Sequence, residues 1–298
     1  MQLDGLSAPT KAWLASGRHV EVDGKRIFVV ERGAGPVVLL MHGFPTSCYD
    51  WTGVMEELAG GYRCVAFDFP GYGLSDKPAA YSYSLFQQTD VAEGIARALD
   101  IAEAHVVSHD VGQTIHAELL AREQEGRLAF RVLSSTLLNG STLQDKATIT
   151  PFQRLLGANE TLPQAIAICE SMSVNYIDGL RAIMKRPQAI SEEDALVMEE
   201  LLFYQDGNRR LPALAGYMRE RYLHRERWLD AFKSAEAPTQ IVWADGDPIA
   251  NVEMGRALSK EVPQARYTEL PGLGHFLLIE DHSAVAGYIL EFIREASL

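Results

Sequence analysis

Residues 106–112 read Val106-Val107-Ser108-His109-Asp110-Val111-Gly112. An apolar run of the kind that forms a buried strand ends here, and a helix-forming stretch, Val111 to Glu125, begins. Small residues stand two before and two after Asp110, at Ser108 and Gly112. That spacing fits a tight strand-to-helix turn that exposes its central side chain, the geometry of a nucleophile elbow. Small neighbours are required because the turn brings strand and helix backbones close together. Centring the turn on Ser108 instead would put Val106 and Asp110 on the flanks, and both are too large for it.

Working outward, the same alternation recurs. HVEV and KRIFVVE flank Asp23-Gly24, a tight-turn pair, and read as a hairpin. PVVLLMHG, YRCVAFD, AHVVSHD and RVLSSTLLN follow as strands apolar along their whole length, the pattern of strands covered on both faces. Helices are expected between them at Asp50 to Ala59, Ser84 to Leu99 and Val111 to Glu125. From Asn139 to about Ser234 no convincing strand occurs. That stretch is rich in helix formers and broken by Pro151, Pro163, Pro187 and Pro212, so four or five short helices are expected. Alternation then returns with the strand TQIVWAD, a helix over Val252 to Glu261, the strand ARYTEL and a final amphipathic helix, His282 to Ala296. The chain thus divides into an α/β core, residues 1–138 and 235–298, and a helical cap over 139–234. In open α/β sheets such insertions sit where the strands end and ligands bind.

A chain of 298 residues can bury a core without disulfide or metal. Hydrophobic residues at 47% and charged residues at 22% describe a globular protein and exclude a disordered one. Lys and Arg total 27 against 40 Asp and Glu, a net charge of −13 that repels phosphate backbones and anionic lipid. Neither nucleic acid nor a membrane surface is therefore expected as a partner. Cys48, Cys64 and Cys169 are odd in number and lack C-x-x-C spacing, so they read as free thiols in a reducing compartment. Apolar runs such as Val37 to Met41 are too short to cross a bilayer, and the N-terminus does not have the pattern of a secretory signal. The expectation is a cytoplasmic protein, monomer or homodimer, acting on a small molecule without metal or cofactor.

Five short motifs occur in order: MHGFP, DFPGYGLSD, SHDVGQ, ADGDP and PGLGHF. Together they resemble the α/β-hydrolase superfamily, over residues 18 to 296. The aspartate at the elbow is similar to the epoxide hydrolase and haloalkane dehalogenase branch. The wording around the elbow and the stretch DGNRRLPALAGYMRERYLHRERW also resembles mesoderm-specific-transcript-like hydrolases. The resemblance implies a mostly parallel eight-stranded sheet with helices on both faces and an inserted helical lid. It also implies roles. Asp110 matches the nucleophile, His275 the general base and Asp247, in Gly-Asp-Pro, the acid that orients the histidine. The backbone N–H groups of Phe44 and Val111 match the two halves of an oxyanion hole. Some relatives carry the acid after the strand before the insertion, where this chain has the neutral Asn139; Asp145 lies farther on, and Asp245 competes locally with Asp247.

The chemistry supports these roles. A carboxylate is already ionised at neutral pH and needs no base to attack saturated carbon. Its product is an ester, and cleaving that ester requires a base to draw a proton from water. Haloalkane dehalogenases commonly have Trp after the nucleophile and often Asn in the HG-x-P motif, both N–H donors to halide. Val111 and Phe44 offer no such side chain. Epoxide hydrolases have the HG-x-P form seen here and lid tyrosines that polarise the ring oxygen. Tyr217 best matches one of them, with Tyr176 or Tyr204 as the other; Tyr222 also lies in the insertion. Simpler roles compete at each position: a helix N-cap for Asp110, a surface histidine for His275, a turn for Asp247, packing for Tyr217. His42 reads as loop support, His109 and His116 as structural, and the basic run from Tyr217 to Trp228 as a solvated lid surface. The expected activity is epoxide hydrolysis. Dehalogenation, ester or lactone hydrolysis by the same aspartate, and binding of a small molecule without turnover are the alternatives.

Overall fold

The computed structural model describes residues 3–158, 160–171 and 176–296. Eight strands form one sheet: β1 Arg18–Val22, β2 Lys25–Arg32, β3 Val37–Met41, β4 Arg63–Phe67, β5 Glu103–His109, β6 Arg131–Leu138, β7 Thr239–Ala244 and β8 Arg266–Leu270. Their spatial order is β1-β2-β4-β3-β5-β6-β7-β8. The β1–β2 hairpin and the β2–β4 pair are antiparallel, and every later pair is parallel. This is the α/β-hydrolase architecture that the motifs imply.

Fourteen α-helices are described. In the core are α1 Ala8–Ala15, α2 Thr52–Leu58, α3 Leu85–Ala98 and α4 Val111–Gln124. Between β6 and β7 lie α5 Pro151–Gly157, α6 Leu162–Ser171, α7 Tyr176–Arg181, α8 Glu192–Phe203, α9 Leu211–Leu214, α10 Tyr217–Leu223 and α11 Arg225–Lys233. The last three are α12 Val252–Glu261, α13 Leu277–Glu280 and α14 His282–Ala296. The segment between β6 and β7 holds no strand among its described residues, but it has seven α-helices where four or five were expected. Proline and capping residues cut it finely: Thr150 and Ser191 each close a capping box, and Pro151 and Pro212 sit in first turns. The helix expected from Asp50 begins instead as a short 3-10 turn, Cys48–Trp51. Helix α1 was not anticipated, although Ser7 caps it and Pro9 sits in its first turn.

The central strands β3 to β7 are buried along most of their length because each face has its own core. Leu39 and Met41 pack with α3 and α4, while Val38 and Leu40 pack with α2 and α14. The central helix α4 is buried along its length from Val111 to Arg122. Its Glu118 is fully buried and accepts hydrogen bonds from Arg122, Arg227 and Trp228, which ties α4 to α11. Parallel pairing aligns the strand ends: Met41 lies beside Ser108, His109 beside Leu138, and Leu138 beside Val242. The loops leaving β3, β5, β6, β7 and β8 therefore emerge along one edge, and all carry residues singled out above.

Gly112 tests this packing. A Cβ there would stand 2.5 Å from the Met41 carbonyl oxygen and 2.8 Å from that of His42. Both are backbone atoms of the neighbouring strand and cannot swing away. Gly112→Ala is expected to lower the unfolding free energy by about 1–3 kcal/mol, measured by urea denaturation.

Candidate active site

Asp110 stands between β5 and α4 with φ 48° and ψ −111°. A non-glycine residue there is strained, and its side chain is thrown out of the turn. Asp110 makes no side-chain hydrogen bond to the helix it starts, so it is not an N-cap. Its Oδ1 instead accepts from the Phe44 N–H at 2.8 Å. Gly43 makes that approach possible: a Cβ at this position would lie 2.5 Å from Asp110 Cβ. Val111 is the first residue of α4, and its N–H has no partner within the helix. His42 braces the loop, with Nδ1 on the Gly43 carbonyl at 2.9 Å and Nε2 accepting from Phe69 N–H at 3.1 Å.

His275 follows β8, and its Nε2 lies 3.9 Å from Asp110 Oδ2, near but beyond hydrogen-bonding distance. Its Nδ1 meets Asp247 Oδ2 at 2.7 Å. The histidine backbone is pinned as well: its N–H donates to Ile183 O, and its carbonyl accepts from His109 Nε2, both at 2.9 Å. Asp247 Oδ1 accepts from the N–H groups of Ile249 and Ala250 at 2.7 and 3.1 Å. Its Oδ2 also accepts from Asn139 Nδ2 at 2.7 Å. Asp110, His275 and Asp247 are all buried and come together from three loops on one edge of the sheet. Asp245 is exposed and caps the Gly272 turn, and Asp145 is exposed outside the cluster.

Burial alone would depress the imidazole. The nearby carboxylates of Asp247 and Asp110 override it and hold His275 at about 9. Burial likewise opposes the charge on Asp247, yet His275, the Ile249 N–H and Asn139 keep it below the usual carboxylate range. The pair is thus an ion pair at neutral pH. The other histidines differ. Burial drives His116 down to about 3 and, helped by His275, His109 down to about 4. His116 bonds Ser108 and Ser135 at 3.0 and 2.9 Å in the closed interior, so Ser108 faces no pocket as a rival nucleophile.

Three residues of this cluster were missed in the sequence. Asn139 was weighed only as a failed acid, and it turns out to hold the acid in place. Asp50, read as an ordinary helix start, is buried beside the site, and Thr46 Oγ1 donates to its Oδ2. Burial raises Asp50 to about 8, so it stays protonated at neutral pH. Arg221 belongs to the run read as solvated, yet it is only 1% exposed. Arg219 and Arg225 do face solvent. Helical period separates Arg219 from Arg221, since one face of α10 turns toward the elbow while the other meets water, and Arg225 opens the next helix, α11.

Tyr217 is buried over the elbow, with its ring 5.4 Å from that of Phe44. Gln153 Nε2 donates to its hydroxyl at 3.2 Å, which leaves the phenol proton free to donate. Burial and Asp110 both raise the phenol above its ordinary value. Tyr176 points its hydroxyl at the Pro45 carbonyl at 3.4 Å, whereas Tyr204 packs away from the site under Lys77. Tyr222 is exposed. Two cavities of about 10 Å³ each lie along the β3 loop, one at the elbow, lined by Val111, Gly43 and Tyr217, the other lined by Pro45, Tyr72 and Tyr176. Each has room for about one water. Among the described residues no group of His, Cys, Asp and Glu could hold a metal ion, and no helix is long and apolar enough to cross a membrane. The three cysteines are free and buried.

Comparison with known proteins agrees with this architecture. The profile of the alpha/beta hydrolase family matches residues 37–287. LipZ of Mycobacterium tuberculosis, a hydrolase by name, is 34% identical over 289 residues, covering 96% of this chain and 99% of its own. The human mesoderm-specific transcript homolog protein is 29% identical over 299 residues, covering 97% and 89%. Among solved structures, Cfl2 of Burkholderia cenocepacia superposes with a TM-score of 0.79 at 25% identity, covering 93% and 95%. An ancestral haloalkane dehalogenase and the epoxide hydrolase CorEH share the fold at TM-scores of 0.78 and 0.76, with 24% and 17% identity.

The ion pair gives a direct check. Ring-nitrogen NMR should show His275 losing its proton near pH 9. Asp247→Asn removes the strongest raising partner, and the midpoint should fall by at least about one unit. A midpoint unmoved by that change would mean that Asp247 does not govern the imidazole.

Proposed function

The chain belongs to the α/β-hydrolase family, and from that premise we propose that it is an epoxide hydrolase working through a covalent ester on Asp110. One observation carries the reading: both carboxylate oxygens of Asp110 are addressed, Oδ1 by the Phe44 N–H at 2.8 Å and Oδ2 by His275 at 3.9 Å. A carboxylate projected from a strained turn into the buried site, between an oxyanion donor and a cationic imidazole, suits attack followed by ester cleavage.

In the first step an Asp110 oxygen attacks an epoxide carbon from behind. The carbon–oxygen bond breaks, its electron pair goes to the ring oxygen, and Tyr217 gives that oxygen its proton. Asp110 loses its charge on becoming an ester. One of the carboxylates that held the His275 proton is then gone, and the imidazole releases that proton, which restores the tyrosine through solvent. Neutral His275 next takes a proton from water, and hydroxide adds to the ester carbonyl. The Phe44 and Val111 N–H groups bear the oxyanion; losing one such donor typically costs ~3 kcal/mol. The tetrahedral species collapses, the alkoxide leaves with the imidazole proton, and a diol departs. Asp247, held by Asn139 and two backbone N–H groups, keeps the imidazole oriented.

The leaving group is read from what surrounds the elbow. Phe44 and Val111 lack the side-chain N–H donors that would cradle a halide, while Tyr217 stands over the carboxylate with its proton unclaimed. Residues 139–234 act as the lid of this site. The buried thiols and acidic surface suit a cytoplasmic enzyme for a small apolar epoxide.

Single-turnover reaction in heavy-oxygen water tests the scheme. First-turnover diol should carry light oxygen from Asp110, and the label should appear in the enzyme. Heavy oxygen in that first diol would rule out the ester. Asp110→Asn should lower turnover by roughly 10³-fold or more. His275→Gln should accumulate one equivalent of stable ester, seen by intact-protein mass spectrometry. Halide release from haloalkanes with no diol from any epoxide would reassign the substrate, and no product from either panel would make the chain a binding protein.

A further inference from the structure

Arg221 is one of the largest fully buried side chains in the protein, at 1% exposure. Among the described residues no carboxylate lies within ion-pairing distance of it. Its Nε donates to Thr114 Oγ1 at 2.8 Å and its Nη2 to the Asp110 backbone carbonyl at 3.1 Å. Both acceptors are neutral and both belong to the elbow. The guanidinium carbon lies 4.6 Å from the centre of the Tyr217 ring, one helical turn away on α10. Burying a cation without a counter-ion is costly, and the cost is offset where an anion forms during the reaction.

Two anions of the proposed scheme form on groups of the protein, one at Asp110 in the tetrahedral intermediate and one on Tyr217 after it has given up its proton. The first faces the Phe44 and Val111 N–H groups. The second lies against Arg221. The guanidinium does not line either cavity, and two of its nitrogens are occupied by the elbow. Contact with substrate is therefore not its role.

We propose that Arg221 is a positioning residue that acts through Tyr217. It fastens α10 to the elbow, so that the phenol stands over Asp110, and its charge beneath the ring favours the phenolate left by proton donation. This rests on the epoxide-opening reading for the use made of that proton, but not for the pairing itself. The charged and titratable groups facing Tyr217 are Asp110, His42, Tyr72, Tyr83 and Arg221. Arg221 is the cation among them at neutral pH, because burial lowers His42.

Two experiments decide it. The first places difluorotyrosine at position 217, where fluorine brings the phenol into an accessible titration range, and follows its ionisation by ultraviolet absorbance. R221M should raise the midpoint by about one unit or more. An unmoved midpoint overturns the proposal, whatever the substrate proves to be. If R221M does not fold, R221K serves: it keeps a cation but loses the planar stack, and the midpoint should rise by less. The second is a double-mutant cycle on the rate of ester formation from an epoxide. R221M should slow that step by about 10–100-fold in the native background and by less than about threefold beside Y217F. An equal loss in both backgrounds would show Arg221 acting on the elbow alone and overturn the link to Tyr217. If no epoxide is opened, the epoxide reading fails, while the phenol titration still decides the role of Arg221.

Discussion

The approach of the β3 loop to the Asp110 carboxylate is the constraint on which the site depends. An aspartate with φ 48° costs roughly 1–3 kcal/mol relative to a relaxed backbone. It persists because β5 lies between β3 and β6, and because α4 is buried almost throughout. Neither flank can yield. With the turn fixed, the side chain accepts its hydrogen bond from the Phe44 N–H, and only glycine at position 43 lets that amide come close. Sheet pairing, helix burial and the absence of one methyl group thus converge on a single hydrogen bond.

Around that bond the charges are arranged economically. Three buried carboxyl groups, Asp110, Asp247 and Asp50, surround one imidazole. Asp247 is held ionised by four hydrogen-bond donors, and Asp50, raised to about 8, stays neutral at physiological pH. The imidazolium therefore serves two carboxylates rather than three. Arg221 adds a second positive charge on the other side of Asp110, through the backbone rather than through a carboxylate. The site is thus close to charge balance at rest, and forming an ester at Asp110 would disturb that balance in the direction that frees the base.

Much of this was legible in the sequence, for identifiable reasons. Central strands buried on both faces leave apolar runs, the Asp23-Gly24 turn marks the first hairpin, and the helices over Val252–Glu261 and His282–Ala296 match their expected limits. Asp110, His275 and Asp247 each sit in a short loop directly after a strand, where spacing fixes position. What stayed hidden depends on contacts between distant segments. Asn139 meets Asp247 across 108 positions, and Arg221 meets Asp110 across 111. Composition suggested that a run such as RERYLHRER would be solvated, because nothing local distinguishes its inward arginines, Arg221 and Arg227. The helical segment was undercounted for a similar reason. Its helices follow one another closely, and their boundaries come from caps such as Thr150 and Ser191.

The two small voids along the β3 loop bear on timing. Each has room for about one water molecule, less than any organic substrate needs. On the proposed reading, a substrate larger than these voids would have to displace the helices that line them, and the opening that admits it would also admit solvent. The enzyme would then run as a lock on a canal runs: one gate movement brings in both reactants, and the chemistry proceeds on a fixed charge of water until the gate moves again. In such a design the pace of turnover belongs to the helices over the sheet, and the carboxylate beneath them waits on their motion.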